Sequence, residues 1–210
     1  MRVLVISDVH ANLEALEAVL ADAGDFELIW SLGDIVGYGP DPNECIARLE
    51  NFLHVAIAGN HDWGVIGKLD IHDFNPDAQR ANLWTRDQLT AASRSYLEAL
   101  AETRVEAGVT LAHGSPRHPI WEYLLYSHAA EQSFTYFKTP ICLVGHTHLP
   151  IIYRKTSEDE HCKAREPEPN EWYRPEKGAR LIVNPGSVGQ PRDGDPRAAY
   201  LLLDTEKQTF

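Results

Sequence analysis

The chain has 210 residues, 43% apolar and 24% charged, with 14 glycines and 13 prolines, which supports one well-cored globular domain spanning 1–210 and excludes wholesale disorder or a fibrous repeat. Its 19 Lys and Arg against 31 Asp and Glu give a formal charge of −12. That balance excludes extended nucleic-acid binding through broad phosphate neutralisation, and a small anionic ligand would need a local positive centre such as a bound metal.

Residues 3–7 form a continuous apolar, β-branched run, which predicts a strand buried on both faces. Leu13, Leu16, Val19 and Leu20 follow at helical spacing, with Asn12 placed to cap the helix and Gly24 to stop it. Residues 26–31 read as a second strand, 33–42 as a Gly/Pro-rich loop, the segment through Cys45, Ile46 and Leu49 as a helix, and 53–58 as a third strand. This alternation predicts an α/β start with parallel strands. Residues 75–100 read as two helices broken near Thr90, with Leu83, Trp84, Leu89, Tyr96, Leu97 and Leu100 as buried positions. A hairpin at Gly108 joins 104–107 to 109–112, and a helix over 127–137 precedes strands at 141–144, 151–154, 181–184 and 198–203. Residues 156–178 carry seven acids, four bases and three prolines, the composition of a charged surface excursion. No stretch approaches 18 apolar residues and the first apolar run is too short for a signal-peptide core, so a cytoplasmic protein with no membrane partner is expected. Cys45, Cys142 and Cys162, odd in number and widely spaced, fit free thiols in a reducing compartment.

The polar exceptions gather where strands end, the edge at which open α/β sheets bind ligands. Asp8 and His10 follow the first strand, Gly33-Asp34 the second and Gly59-Asn60-His61-Asp62 the third; His113-Gly114 and Gly145-His146-Thr147-His148 follow later ones. A lone Asp after a strand is most often a turn or cap residue. Five strand ends that each deliver a metal-competent side chain are a different observation. Asp8 and His10, like His146 and His148, are spaced i, i+2, so in extended backbone each pair projects to one side. Imidazoles, carboxylates and an amide oxygen without thiolate suit Mn, Fe, Zn, Co or Ni. Seven ligand residues exceed what one ion needs, and with Asp34 bridging, two ions would each have four protein ligands. Such a pair clamps the oxygens of an in-line displacement at phosphorus and lowers the pKa of a bound water.

These blocks match, in order, the five signature blocks of the calcineurin-like metallophosphoesterases, which the chain resembles from residue 1 to about 205. The segments 33–40 (Gly-Asp-Ile-Val-Gly-Tyr-Gly-Pro) and 184–192 (Asn-Pro-Gly-Ser-Val-Gly-Gln-Pro-Arg) resemble its small prokaryotic phosphodiesterase group. The resemblance implies two facing mixed β-sheets flanked by helices, a four-layer αββα sandwich. It implies two divalent metal ions, manganese first among the candidates, with Asp8, His10 and His148 holding one, Asn60, His113 and His146 the other, and Asp34 bridging. His61 is implied as the group that protonates the leaving oxygen or stabilises the transition state, and Asp62 is read either as orienting it or as a helix-cap or turn residue. Arg192 is a candidate for the substrate phosphate and Tyr38 for the pocket rim.

The expected function is hydrolysis of a small organic phosphate ester by attack of metal-bound hydroxide. The alternatives are a protein phosphatase or dinucleoside tetraphosphatase, or a metal-poor interaction scaffold on the same fold. The first two tend to carry Arg after the bridging Asp and Glu in the Asn-His-Glu block, where this chain has Ile35-Val36-Gly37-Tyr38 and Asp62. His54, His128 and the His161-Cys162 pair are expected to lie away from the site; Trp63, Trp84, Trp121 and Tyr123 could stack on a nucleobase, but aromatics at such positions more often pack in the core, which is the expectation.

Overall fold

A computed structural model describes residues 1–210. Strands β1 (Arg2–Ile6), β2 (Leu28–Ser31) and β3 (His54–Ala56) alternate with helices α1 (Leu13–Asp22) and α2 (Pro42–Glu50). Three further helices, α3 (Asn60–Ile66), α4 (Pro76–Gln88) and α5 (Ala91–Ala99), lead to β4 (Thr103–Glu106) and β5 (Val109–Ala112). Then come α6 (Ser127–Ser133), β6 (Ile141–Leu143), β7 (Ile151–Lys155), β8 (Lys163–Arg165), β9 (Arg180–Asn184) and β10 (Leu201–Asp204). Side-chain caps set the helix starts: Asn12 accepts from the Ala15 amide, Asn75 from those of Asp77 and Ala78, and Thr90 from that of Ser93.

The strands form a four-stranded sheet ordered β10-β1-β2-β3 and a six-stranded sheet ordered β4-β5-β6-β9-β7-β8. β1, β2 and β3 are parallel, β10 returns antiparallel to β1, and β5, β6 and β9 form a parallel core within the second sheet. The alternation of side chains along each strand sorts the apolar residues into layers. Val3, Val5 and Trp30 face Leu111, Leu143, Ile152 and Val183 across the gap between the sheets. Leu4, Ile6 and Ile29 point the other way, onto Leu16, Val19, Ile46, Leu49 and Leu97 of the helices. Cys142, Tyr153 and Ile182 turn outward from the second sheet to Ala130, Phe134 and Phe137. The layers are therefore helix, sheet, sheet, helix, as expected.

Several expected elements differ in extent. The third strand shrinks to three residues, with Leu53 75% exposed, and α3, which the apolar pattern does not announce, starts directly after it. The helix expected over 127–137 ends at Ser133, and the strand expected at 198–203 runs over Leu201–Asp204. The charged excursion is not wholly irregular: it contains β8, an edge strand paired antiparallel to β7 with all three residues exposed. Leu83 and Trp84 are each 45% exposed, contrary to expectation, because α4 turns Ala78, Asn82 and Thr85 inward instead.

Candidate metal centre

The carboxyl ends of β1, β2, β3, β5 and β6 deliver the seven expected ligand residues to one buried cluster, all of them at most 3% exposed. Their backbone is unusual. Asp8 (φ 55°), His10 (49°), Asp34 (52°), His146 (65°) and His148 (61°) all lie in the left-handed region, which non-glycine residues occupy at a cost and chiefly where the surroundings enforce it. Here the loops enforce it on one another: the Asp8 amide donates to Gly33 O (3.1 Å), that of His10 to Asp34 O (2.9 Å) and that of Gly189 to Asp8 O (3.0 Å). Asn184 braces the fifth block by donating to Gly145 O (2.6 Å) and Thr147 Oγ1 (2.9 Å). The glycines before Asn60 and His146 serve close approach rather than a left-handed turn: a Cβ on Gly59 would stand 2.1 Å from Asp34 Oδ1, and one on Gly145 1.9 Å from Ser7 Oγ.

Each carboxylate divides its oxygens. Asp8 Oδ2 accepts from the His146 amide (3.1 Å) and Asp34 Oδ1 from the His61 amide (2.8 Å), which leaves Asp8 Oδ1 and Asp34 Oδ2 facing the cluster. Asp8 Oδ1 is buried without a hydrogen-bond partner, a cost that a bound cation would remove. The imidazoles are oriented in the same way. His10, His113 and His148 donate Nδ1–H to the carbonyls of Val36 (3.2 Å), Leu32 (2.8 Å) and Gln190, so each presents the lone pair of Nε2 inward.

Two sets of donor atoms result. Asp8 Oδ1 lies 3.2 Å from His148 Nε2 and 4.0 Å from His10 Nε2, while the two imidazole nitrogens are 3.2 Å apart. On the other side, His113 Nε2 lies 3.2 Å from Asn60 Oδ1 and 3.1 Å from His146 Nδ1. Asp34 Oδ2 stands between them, 3.8 Å from His10 Nε2 and 3.4 Å from His113 Nε2. Burial disfavours charge throughout and lowers His10 and His146 to about 3. At His113 burial is outweighed by the Asp34 carboxylate, which with Asp8 raises the imidazole to about 9. Burial also opposes the Asp34 charge, yet His113 and then His61 hold this carboxyl well below its ordinary range. These donors, converging and held in the deprotonated or readily deprotonated form, fit divalent metal ions.

A profile of the calcineurin-like phosphoesterase superfamily domain matches residues 1–208. The chain belongs to this superfamily. A protein of Methanocaldococcus jannaschii described as uncharacterized is 38% identical over 209 residues, covering 96% of this chain and 82% of that protein. The crystal structure of a metallophosphoesterase from Sphaerobacter thermophilus is 50% identical, with a TM-score of 0.88 over all of this chain and 85% of its own. That of a hypothetical protein from Pyrococcus horikoshii shares the fold, with a TM-score of 0.77 at 22% identity over all of this chain and 86% of its own.

Around the candidate ligands of this calcineurin-like phosphoesterase, the residues beside His61 divide into two roles. Of the two readings of Asp62, the structure shows the cap role and not the orienting of the His61 ring. The Asp62 carboxylate accepts from the amides of Asp34 (2.8 Å), Ile35 (2.9 Å), Val36 (3.2 Å) and Gly59 (2.9 Å), so it ties the loop after β2 to the start of α3. Burial, then the Asp34 charge, raises it to about 7 against the pull of those amides. The partner of His61 is Asn82, whose Oδ1 accepts from His61 Nδ1 at 2.8 Å in a buried contact. Sequence reading misses Asn82 because it assigns the inward face of α4 to its apolar residues. The available signal was an amide spaced i, i+4 and i, i+3 with Ala78 and Thr85.

Above the candidate ligands opens a cleft of about 300 Å³ whose lining includes Tyr38 and Arg192 together with Phe74, Trp121 and Tyr123. Trp121 and Tyr123 thus leave the core positions expected of them: the Tyr123 ring lies over His146, centroids 3.8 Å apart, with the residue 46% exposed. Arg192 is exposed and donates to Gln190 Oε1 at 2.7 Å. His54 bonds Tyr96 Oη at 3.0 Å, and His161 is 77% exposed beside Glu131. Neither joins the site. The three cysteines are free and buried, and no helix is long and apolar enough to cross a membrane.

Proposed function

We propose that the chain is a dinuclear metal-dependent phosphoesterase acting on a small organic phosphate ester. The observation that carries this reading is Asp34 Oδ2, one carboxylate oxygen shared between two convergent donor sets, 3.8 Å from His10 Nε2 and 3.4 Å from His113 Nε2. Asp8, His10 and His148 would hold one ion, Asn60, His113 and His146 the other, with Asp34 common to both. Two divalent ions held by these residues would supply Lewis acidity to the phosphoryl oxygens and make water a competent nucleophile near neutral pH. They also outweigh the two carboxylates, forming a cationic well in a chain of formal charge −12. The protein's own part is to orient and exclude. Buried loops fix the ligands, Arg192 stands at the mouth where a phosphate would enter, and His61 is placed beside the bridging carboxylate. Burial lowers His61, and an anionic phosphoryl group drawn into the cleft acts in the opposite direction, favouring the protonated ring that donates to the leaving oxygen.

Elemental analysis of the purified protein and assays with bis(p-nitrophenyl) phosphate and p-nitrophenyl phosphate under Mn, Ni, Co, Fe and Zn test the reading. Two equivalents of metal and turnover with at least one ion are expected, and Asp34→Asn should abolish the metal-dependent rate. Metal content near zero with no turnover under any ion would replace this reading with that of an interaction scaffold.

A further inference from the structure

The wall of the cleft is made of rings rather than cations. From Tyr38 the contacts run through His61 (4.6 Å between centroids) and Phe74 (5.3 Å) to Trp121 (4.8 Å), and the far side closes with Tyr123 on His146 (3.8 Å). Arg192 is the only Lys or Arg among the lining residues, and Asp73 adds a negative charge. A polyphosphate or a sugar bisphosphate would bring charges into the cleft that this wall has one cation to meet. An aliphatic ester would leave the ring faces against water.

We infer that Trp121 and Tyr123 form a stacking subsite for a planar ring carried by the phosphate ester, a nucleobase or an aryl group. This rests on the phosphoesterase reading and specifies its substrate class. The Tyr123 ring has one face on His146 and nearly half of the residue open, and it lines the same cleft as Arg192, so one anchored ring shares the cleft with the cation that would meet the phosphate. Trp121 is half-buried and meets the buried Phe74 (4.8 Å between centroids) and His146 (6.4 Å) in edge-to-face contacts. The cleft volume of about 300 Å³ is at the lower end for ligand pockets and accommodates one ring system beside a phosphate.

Matched pairs of monoesters separate the ring from the phosphate: adenosine 5′-monophosphate against ribose 5-phosphate, and phenyl phosphate against methyl phosphate. Each is measured as an inhibitor of bis(p-nitrophenyl) phosphate hydrolysis by metal-loaded enzyme, and by quenching of tryptophan fluorescence. The ring-bearing member should bind about tenfold or more tightly, the scale of one base stacked on an aromatic side chain. The ratio should collapse toward one in Trp121→Ala and Tyr123→Ala and survive in Trp121→Phe and Tyr123→Phe, with matched thermal melts excluding misfolding. An advantage in both pairs supports a subsite for any planar ring, and one confined to the adenosine pair supports a nucleobase subsite. Equal affinities alongside turnover overturn the stacking subsite and leave the phosphoesterase standing. Absence of turnover under every metal overturns the phosphoesterase, and the fluorescence titration then decides the subsite alone.

Discussion

Asn82 has no charge and hydrogen-bonds His61 rather than a candidate metal ligand, yet it determines which nitrogen of His61 is available. With Nδ1–H committed to Asn82 Oδ1 at 2.8 Å, only Nε2 is free to meet a leaving group. Removing the amide in Asn82→Ala would let the ring rotate and exchange tautomers without altering any ligand contact. Metal content should therefore stay at the wild-type level while kcat falls about ten- to a hundredfold, the scale of losing a residue that orients a functional histidine. The loss should be concentrated in esters with poor leaving groups, since proton donation matters little when the leaving oxygen is already a good anion. A comparison of phenyl and p-nitrophenyl esters checks this, and an equal loss with both would show that Asn82 only supports the fold. Asp62 illustrates the complementary lesson. Its neighbour His61 invites a dyad, but four backbone amides claim the carboxylate. The cap at Gly59 is legible from the place of Asp62 after a strand, but its bonds to the amides of residues 34–36 are not until the loop after β2 is folded beside α3.

At the scale of elements, α4 shows where an apolar pattern misleads. Leu83 and Trp84 are its largest apolar residues and both face outward, while Ala78, Asn82 and Thr85 pack inward. Trp84→Gln should accordingly change stability by no more than about 0.5 kcal/mol, as surface substitutions do. Leu97→Ala in α5 removes a fully buried side chain from the layer between helices and sheet and should cost about 2–5 kcal/mol. Urea unfolding of the two variants measures both, and a large cost for Trp84→Gln would mean that another surface covers α4. The strands were legible because buried runs such as 3–7 and 141–144 have a signature in apolar residues alone. The ligand blocks were legible because they sit at the ends of those runs. β8 and α3 were not: β8 is an exposed Lys-Ala-Arg segment with no large apolar residue to mark it, held only at the sheet edge by β7, and α3 is a seven-residue helix opening on the candidate ligand Asn60, with its start tied to the distant loop after β2.

At the scale of the whole molecule, both sheets lend their carboxyl edges to one buried cluster, so the charge state of that cluster couples to global stability. In metal-stripped protein, His10 and His146 have folded values of about 3, below the ordinary 6.5. Unfolding then takes up a proton at each as pH falls beneath 6.5, and stability is lost toward acid at about 1.4 kcal/mol per pH unit for each histidine. Asp8 and Asp34, lowered in the fold, add to the loss below about pH 4. His113 acts with the opposite sign. Raised to about 9, it contributes stability that is complete below 6.5 and lost as pH rises toward 9, and Asp62, raised to about 7, contributes stability lost as pH rises from its ordinary 3.8 toward 7, offsetting one of the two histidines over that range. The stripped protein should therefore be most stable near pH 6.5 and lose melting temperature on both sides. Saturating divalent metal binds the folded cluster and should add about 2.7 kcal/mol at a hundredfold excess over Kd, displacing the His113 proton in doing so. Thermal melts from pH 5 to 9, with EDTA and with Mn, measure both effects. A flat profile in EDTA, or no gain with Mn, would contradict the assignment of this cluster as the metal centre.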